Sequence, residues 1–151
     1  MKNTFLALVS IITFSLQAQE ADVNKTIDIF FEGLHTSDTL KIRSVASEKM
    51  ILQTISEKAE TSKVDTDNLK EFYASIASIP KDIKIEERLL SRNIQIDGTM
   101  AHAWTPYEFY VNGKLSHSGV NSFMLHKQDD GKWKIIYIVD TRRAPQSPKG
   151  K

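Results

Sequence analysis

Three short turn signals in the second half of the chain constrain its fold more than any other feature. Asp97-Gly98, Asn112-Gly113 and Asp130-Gly131 separate four runs, between Arg88 and Arg143, that are rich in β-branched and aromatic residues. Asn-Gly and Asp-Gly favour tight hairpins because such turns need positive φ, which these residues adopt at little steric cost. The pattern therefore predicts four antiparallel strands connected as a meander.

Three segments upstream of the meander have the apolar periodicity of helices. The first runs from Asp22 to about His35, the second starts at Ser37 or Asp38, and the third ends at Pro80. Serine and aspartate favour helix starts because their side-chain oxygens accept hydrogen bonds from unpaired first-turn amides. The apolar positions of the three helices are Val23, Ile27, Phe30, Phe31 and Leu34, then Leu40 and Val45, then Leu69, Phe72, Tyr73, Ile76 and Ile79.

The segments around these helices predict extended structure and one loop. A β-branched run over residues 50–55 predicts a strand, whereas the polar segment 56–66, with its mixed charges, predicts a loop. Asp65, Thr66 or Asp67 is expected to cap the third helix, after which the apolar period changes to two. Helices followed by a run of antiparallel strands indicate an α+β architecture, with the helices on one face of the sheet.

Residues 1–19 have the pattern of a signal peptide. Lys2 provides the positive start, residues 5–16 the apolar run, and Leu16-Gln17-Ala18 a small-residue cleavage site. Cleavage after Ala18 or Gln19 would release an exported protein, either periplasmic or secreted. The apolar run has about a dozen residues, fewer than the roughly 20 of a membrane-spanning helix, so no membrane anchor is expected.

Composition indicates that the mature chain is one neutral domain. The chain has no cysteine, so neither a disulfide nor a cysteine-linked lipid is possible. Lys2 is the only charged residue of the signal segment, which leaves 19 of the 20 basic residues against 19 acidic ones. This balance argues against nucleic-acid binding, which depends on neutralising phosphates. We expect one domain over residues 20–143 and a disordered basic tail over residues 144–151.

The order of elements and two sequence segments carry a family resemblance. The segments are Ala101-His102-Ala103-Trp104-Thr105-Pro106-Tyr107 and the closing hairpin Asp130-Gly131-Lys132-Trp133-Lys134-Ile135. Over residues 22–143 the chain resembles the nuclear-transport-factor-2-like superfamily, and within it small exported bacterial proteins of SnoaL-like and proposed lumazine-binding type. The resemblance implies a cone, in which a curved sheet closes around a pocket capped by helices. The superfamily includes ketosteroid isomerases, scytalone dehydratases and polyketide cyclases as well as transport, assembly and immunity proteins, so the fold alone decides no function.

Turn registers predict which side chains face the pocket, because residues opposite each other share a face of the sheet. The first turn pairs Ile94 with Ala101, and the second pairs Glu108 with His117. The two registers agree only if one extra residue is absorbed at Thr105-Pro106, so we expect a β-bulge there. The inner face then contains Ala101, Ala103, Glu108, Tyr110, Leu115, His117, Asn121, Phe123 and Leu125.

The last hairpin has two alternative registers. A two-residue loop at Asp130-Gly131 sets Asn121 opposite Asp140, Phe123 opposite Ile138 and Leu125 opposite Ile136. A three-residue loop instead turns Trp133, Ile135 and Tyr137 inward and Asp140 away. We prefer the first register because it pairs polar with polar and apolar with apolar residues.

The polar inner residues are the candidates for chemistry. Glu108, His117 and Asp140 are the catalytic candidates, since a histidine near a carboxylate can act as a general base. The alternative is a structural polar pair, which is the more frequent role of such residues. No metal or cofactor is expected, because no ligand pair has metal spacing and no phosphate-binding loop occurs. The predicted ligand-binding residues are Trp104, Glu108, Tyr110, His117, Asn121, Phe123 and Asp140.

Three functions fit these features. The first is a binding module that holds a small, partly apolar organic ligand in the cone. The second is an enzyme of the isomerase, dehydratase or cyclase type that uses His117 with Glu108 or Asp140. The third is a protein-interaction domain. The lack of an unambiguous acid-base pair favours the first. The resemblance also implies a homodimer through the outer sheet face, where we place Ser122, Met124, Tyr137 and Val139.

Overall fold

The computed structural model describes residues 2–58 and 61–145, with three helices and seven strands in that part of the chain. The helices are α1 (Lys2–His35), α2 (Thr39–Val45) and α3 (Leu69–Ala77). The strands are β1 (Ala46–Lys58), β2 (Thr61–Asp67), β3 (Ile85–Leu89), β4 (Asn93–Asp97), β5 (Met100–Val111), β6 (Lys114–Lys127) and β7 (Trp133–Arg143). The predicted α+β class is confirmed.

The strands form one curved, open, mixed sheet. Their order is β2-β1-β7-β6-β5-β3, and β4 also pairs with β5. Strands β4 to β7 are connected as the predicted antiparallel meander. β1 lies parallel to β7 and extends the sheet beyond the meander. β3 and β4 pair with opposite ends of β5, so two short strands share one edge of the sheet.

The loop predicted over residues 56–66 is wrong, because β2 pairs antiparallel with the second half of β1. The side chains of β2 are exposed or half-buried on both faces. A strand that is covered on neither face lacks the alternation of apolar and polar residues by which strands are predicted. The strand predicted over residues 50–55 is confirmed as part of β1.

Side-chain caps fix the starts of the two short helices. Asp38 accepts hydrogen bonds from two first-turn amides of α2, both at 3.0 Å, which confirms one of the two predicted caps. Asn68 caps α3, at 2.9 and 3.3 Å, and the cap predicted at residues 65–67 is wrong because those residues belong to β2. In α2 the predicted apolar position Leu40 is exposed, and Ile42 is buried instead.

Helix α1 ends at His35, as predicted, but begins at Lys2. The segment predicted as a signal peptide and the first helix of the domain therefore form one continuous helix. Within residues 2–58 and 61–145, no helix is both long enough and apolar enough to cross a membrane.

The helices pack on the inner face of the sheet. Phe30 and Phe31 of α1 meet Phe123 of β6 edge to face, with ring centroids 5.9 and 5.8 Å apart. Such contacts bury large apolar surfaces in a preferred geometry. The surrounding core includes Val23, Ile27, Ile42, Val45, Leu52, Tyr73, Ile76, Ala101, Ala103, Leu125, Ile135 and Ile138.

The first hairpin of the meander is shifted from its predicted register without changing faces. Ile94 lies opposite Ala103 and not opposite Ala101. Because side chains alternate with a period of two, a shift of two residues returns each side chain to the same face. Ala101 and Ala103 are buried, as predicted, and the intervening His102 points to the other face.

The bulge predicted at Thr105-Pro106 is wrong. The ladder between β5 and β6 is unbroken there, with Pro106 opposite Val120, and the extra residue is Ser116 of β6. Pro106 lies instead beside the gap between β3 and β4, where its carbonyl accepts from the amide of Leu90 at 2.8 Å. The nitrogen and carbonyl of a strand residue point toward the same neighbour. The missing proline amide therefore interrupts the β3/β4 edge and leaves the β6 pairing intact.

The last hairpin combines the two predicted registers. Asn121 lies opposite Asp140, as the two-residue loop predicts. Ile136 is the extra residue of a bulge, so the predicted pairing of Leu125 with Ile136 is wrong. Trp133 and Ile135 are nevertheless buried, as the alternative register predicts. The bulge at Ile136 thus lets Ile138 and Asp140, which follow it, and Trp133 and Ile135, which precede it, face the same side of the sheet.

Gly119 allows a tyrosine ring to cross the sheet surface. It lies opposite Tyr107 in the β5–β6 ladder. A Cβ at position 119 would lie 1.7 Å from the carbonyl oxygen of Thr141 and 3.0 Å from the Tyr107 ring. Because glycine leaves this space free, the Tyr107 hydroxyl donates a hydrogen bond to the Thr141 carbonyl at 3.0 Å.

Candidate functional site

A cavity of about 590 Å³ lies between the inner face of the sheet and helices α1 and α3. The apolar part of its wall consists of Phe30, Phe31, Leu34, Leu52, Phe72, Ile76, Ile79, Ile85, Phe109, Phe123 and Ile138. The polar part consists of Asp67, Asn68, Glu71, Ser75, Glu87, Tyr107, His117, Asn121, Asp140 and Arg142. A cavity of this size with a mostly apolar wall is typical of sites for small organic molecules.

The carboxylate of Asp140 joins three strands at the polar part of the cavity. It accepts hydrogen bonds from the Thr54 hydroxyl of β1 at 2.7 Å and from the Tyr107 hydroxyl of β5 at 3.1 Å. On β7 itself, Nε of Arg142 donates to it at 2.7 Å. Burial raises the pKa of Tyr107, and the charge of Asp140 adds to this, so the hydroxyl stays protonated and donates. Asp140 is thus a buried carboxylate whose charge is well compensated.

Glu87 of β3 is a second carboxyl at the cavity, with less compensation. Nδ2 of Asn121 donates to its Oε1 at 2.6 Å. Its backbone amide donates to Nε2 of His35 at 2.9 Å, which ties this strand to the end of α1. Burial raises the pKa of the Glu87 carboxyl to about 7, and the charge of Asp140 acts in the same direction, whereas Asn121 and Arg142 lower it. Near neutral pH, Glu87 is therefore able either to accept or to release a proton.

His117 lines the cavity as a neutral ring. It stacks on Phe109 with centroids 4.8 Å apart and an interplanar angle of 20°. Its Nδ1 lies 3.2 Å from the hydroxyl oxygen of Ser116. Burial lowers the pKa of His117, the charge of Arg142 lowers it further, and the charge of Asp140 acts in the opposite direction. Within the described residues, no hydrogen bond joins His117 to either carboxylate with which it was predicted to pair.

The structure brings four of the predicted ligand-binding residues together and separates three others from them. His117, Asn121, Phe123 and Asp140 all line the cavity. The inward orientation predicted for Glu108 and Tyr110 is wrong, because the ladder beside Pro106 has no bulge, and Trp104 also lies outside the cavity wall. On the outer face the Tyr110 hydroxyl donates to Glu108 at 2.7 Å, the guanidinium of Arg88 lies 4.1 Å from the Tyr110 ring, and Trp104 is 47% exposed.

On strands β3, β5 and β7, four aromatic or charged residues of the cavity wall are absent from the predicted site. The sequence indicates Glu87 most clearly among them. Side chains alternate in exposure along β3, and Glu87 lies with Ile85 and Leu89 on its more buried face. A carboxyl in that position is either exposed through a gap or buried with a partner. The two aromatic residues of β5 are assigned to the wrong face by the misplaced bulge. The four residues are Glu87, Tyr107, Phe109 and Arg142.

Metal ligation has no support in the part of the chain that the structure describes. No group of three or more His, Cys, Asp or Glu side chains there has the geometry to hold a metal ion. The carboxylates of the cavity are bound instead by hydroxyl, amide and guanidinium donors.

Solved structures show which fold this is, although no family model and no curated protein matches the chain. A nuclear-transport-factor-2-like protein of unknown function from Shewanella baltica matches with a TM-score of 0.60 and 16% identity, over 86% of this chain and 97% of its own. A proposed dehydratase of the same family from Streptomyces avermitilis matches with a TM-score of 0.63 and 15% identity, over 85% of this chain and 99% of its own. A proposed ketosteroid isomerase from Shewanella frigidimarina matches with a TM-score of 0.58 and 18% identity, over 79% of this chain and 94% of its own. The chain therefore has the nuclear-transport-factor-2-like fold, as its sequence predicts.

Replacing Glu87 by glutamine should stabilise the protein at alkaline pH. The pKa of about 7 in the folded state is higher than the ordinary value of 4.5, so the folded protein holds a proton that the unfolded chain releases between these two values. Wild-type stability should therefore fall as the pH rises from about 5 to about 8. Glu87→Gln lacks this loss and should be more stable than wild type by about 2–3 kcal/mol near pH 8, with little difference near pH 5. Urea unfolding at both pH values measures the effect.

Glu86→Gln is the matched control for this experiment. Glu86 precedes Glu87 on β3 but is exposed and forms a 2.7 Å ion pair with Arg88. The hydrogen bond from Arg88 lowers the pKa of Glu86, so this carboxyl does not titrate between pH 5 and pH 8. The control should follow the wild-type dependence on pH. If Glu87→Gln also followed it, Glu87 would be a solvated carboxyl with an ordinary pKa.

Proposed function

We propose that the protein binds a small, partly apolar organic molecule in the cavity between the sheet and helices α1 and α3. The observation that carries this proposal is the cavity itself, with a volume of about 590 Å³, aromatic walls and a few polar groups. Sites for small organic molecules generally combine these properties. A cone filled by its own side chains would favour a protein-interaction domain, and the open cavity favours a ligand instead.

A tryptophan in the cavity wall should exclude the bound molecule. Ser75 of α3 lines the cavity and is exposed, so Ser75→Trp fills the opening without disturbing the core. Ala74→Trp is the control, because Ala74 is exposed on the same helix but is not part of the wall. Native mass spectrometry of protein purified from its own host should show a small-molecule adduct in wild type and Ala74→Trp, and none in Ser75→Trp. Equal occupancy in the two variants, or no adduct in wild type, would contradict the proposal.

Glu87 favours a second candidate function, which is proton transfer to and from the bound molecule. A carboxyl whose pKa is about 7 inside a cavity is suited to remove a proton next to a carbonyl group at neutral pH. The proposed dehydratase and the proposed ketosteroid isomerase with this fold are named for reactions of small organic molecules, which is compatible with this chemistry. In this candidate function Glu87 is the general base, and not the predicted pair of His117 with Glu108 or Asp140.

Deuterium exchange into a simple enolisable ketone tests the second candidate. Wild type should accelerate the exchange of cyclohexanone in heavy water, measured by NMR, with a rate that rises with pH through about 7 as Glu87 ionises. Glu87→Gln should abolish the acceleration, and Glu86→Gln should retain it. An equal rate in wild type and Glu87→Gln would exclude Glu87 as the base.

The outer face of the sheet supports the proposal of a homodimer. Ser122 lies opposite Val139 and Met124 opposite Tyr137, so these four side chains form one surface. Trp104 pairs with Ser122 at its border and is 47% exposed. Light scattering after size-exclusion chromatography should show a dimer at micromolar concentration. Met124→Glu should produce a monomer, whereas the control Leu40→Glu, at an exposed position of α2, should not. A wild-type monomer would contradict the dimer.

Export is the remaining part of the proposed function. It rests on the charged start, the apolar run and the cleavage motif at Ala18. N-terminal sequencing of protein from the periplasm or the medium should find Gln19 or Glu20 first. An intact Met1 in that material would exclude cleavage.

A further inference from the structure

The charge of the cavity wall identifies a class of ligand. The wall contains four carboxyl side chains, from Asp67, Glu71, Glu87 and Asp140, and one guanidinium, from Arg142. Arg142 is bound to Asp140 through Nε at 2.7 Å. Among the described residues, no lysine or arginine lies within ion-pair distance of the other three carboxyls. The cavity is therefore acidic, although the chain as a whole is nearly neutral.

A hydrogen-bond acceptor beside Glu87 is also available. Asn121 is 6% exposed, lines the cavity and uses its Nδ2 to donate to Glu87 at 2.6 Å. Its Oδ1 accepts no hydrogen bond from any residue that the structure describes. This oxygen retains accessible surface in the cavity wall, whereas Thr105 Oγ1 and Trp133 Nε1 are fully buried and have no partner among the described residues. The Asn121 oxygen is therefore free to accept a hydrogen bond from a molecule in the cavity. This oxygen and the Glu87 carboxyl together form an acceptor pair for a group that carries several N–H donors.

Aromatic rings line the rest of the same cavity. Phe30, Phe31 and Phe123 pack edge to face, and Phe109 stacks on His117. The ring faces of aromatic side chains attract cations as well as apolar groups. An anionic ligand, in contrast, would meet four carboxyls, and the one guanidinium of the wall, that of Arg142, already forms an ion pair with Asp140.

We propose that the ligand is a protonated amine on an aromatic or other apolar body, with its ammonium group bound by the Glu87 carboxylate and the Asn121 amide oxygen. This inference rests on the proposed function, since it requires that the cavity binds a small molecule. The neighbours of Glu87 fit this role: Asn121 and Tyr107 are neutral, His35 contacts only its backbone amide, and Asp140 is paired with Arg142.

Three probes of matched size test the inference on the full-length chain. Phenethylamine carries a cation, hydrocinnamate an anion and phenethyl alcohol neither. Isothermal titration calorimetry near pH 8 should show that the amine binds at least about tenfold more tightly than the other two, because charge-assisted hydrogen bonds are the strong ones. The amine stays protonated throughout, whereas Glu87 ionises through a pKa of about 7. The affinity of the protein for phenethylamine should therefore rise about tenfold from about pH 6 to about pH 8.

Variants separate the ammonium site from the cavity as a whole. Glu87→Gln should lower the affinity for phenethylamine about tenfold and remove its dependence on pH, while leaving phenethyl alcohol unchanged. Glu86→Gln should behave as wild type, since Glu86 lies outside the wall. Thermal unfolding verifies that both variants are folded.

The binding results for the three probes test the amine inference separately from the proposed binding of a small molecule. If hydrocinnamate or phenethyl alcohol binds as tightly as phenethylamine, the cavity binds small molecules but the amine inference is wrong. The same holds if Glu87→Gln leaves amine binding unchanged. If none of the three probes binds to wild type, the amine inference is wrong. The proposed binding function fails as well only if wild type purified from its own host also carries no small-molecule adduct.

Discussion

The polar end of the cavity depends on the way in which the Asp140 carboxylate is held. A buried carboxylate is stable only when donors replace the water that it loses. Thr54, Tyr107 and Arg142 supply these donors from β1, β5 and β7, and Gly119 provides the space through which the Tyr107 ring reaches them. This network connects the parallel strand β1 to the meander. It holds the sheet in place where the cavity meets its polar wall.

Glu87 lies in the same cavity but has fewer hydrogen-bond donors than Asp140. It has one side-chain donor, Asn121, and no cation within ion-pair distance in the described part of the chain. Burial raises its pKa to about 7, whereas the Asp140 carboxyl accepts hydrogen bonds from three side chains. Two carboxyls in different environments take different roles, which is a general way for one fold to support chemistry near neutral pH. In this protein, Asp140 joins three strands, and Glu87 is the carboxyl whose pKa lies near neutrality.

The sequence predicts the meander because turn dipeptides and strand patterns are local signals. The prediction of side-chain faces fails where one strand contains an extra residue. The bulges at Ser116 and Ile136 do not alter the apolar pattern of the sequence, yet each reverses the faces of the residues that follow it. Pro106 is correctly recognised as a disturbance, but its missing amide acts on the β3/β4 edge. His117, Asn121, Phe123 and Asp140 are therefore placed correctly, and Glu108 and Tyr110 are not. Glu87 is missed because its importance depends on a cavity that forms between elements distant in the chain.

NMR directly measures the protonation state of Glu87, on which the proposed chemistry of the cavity depends. Carbon-13 detection of the glutamate side-chain carboxyls across a pH series, with the Glu87 signal assigned by its absence in Glu87→Gln, reports the titration of this single group. We expect a titration midpoint near 7 for Glu87, clearly separated from the midpoints of the other glutamates. A midpoint below about 5, in the range of solvated glutamates, would contradict it.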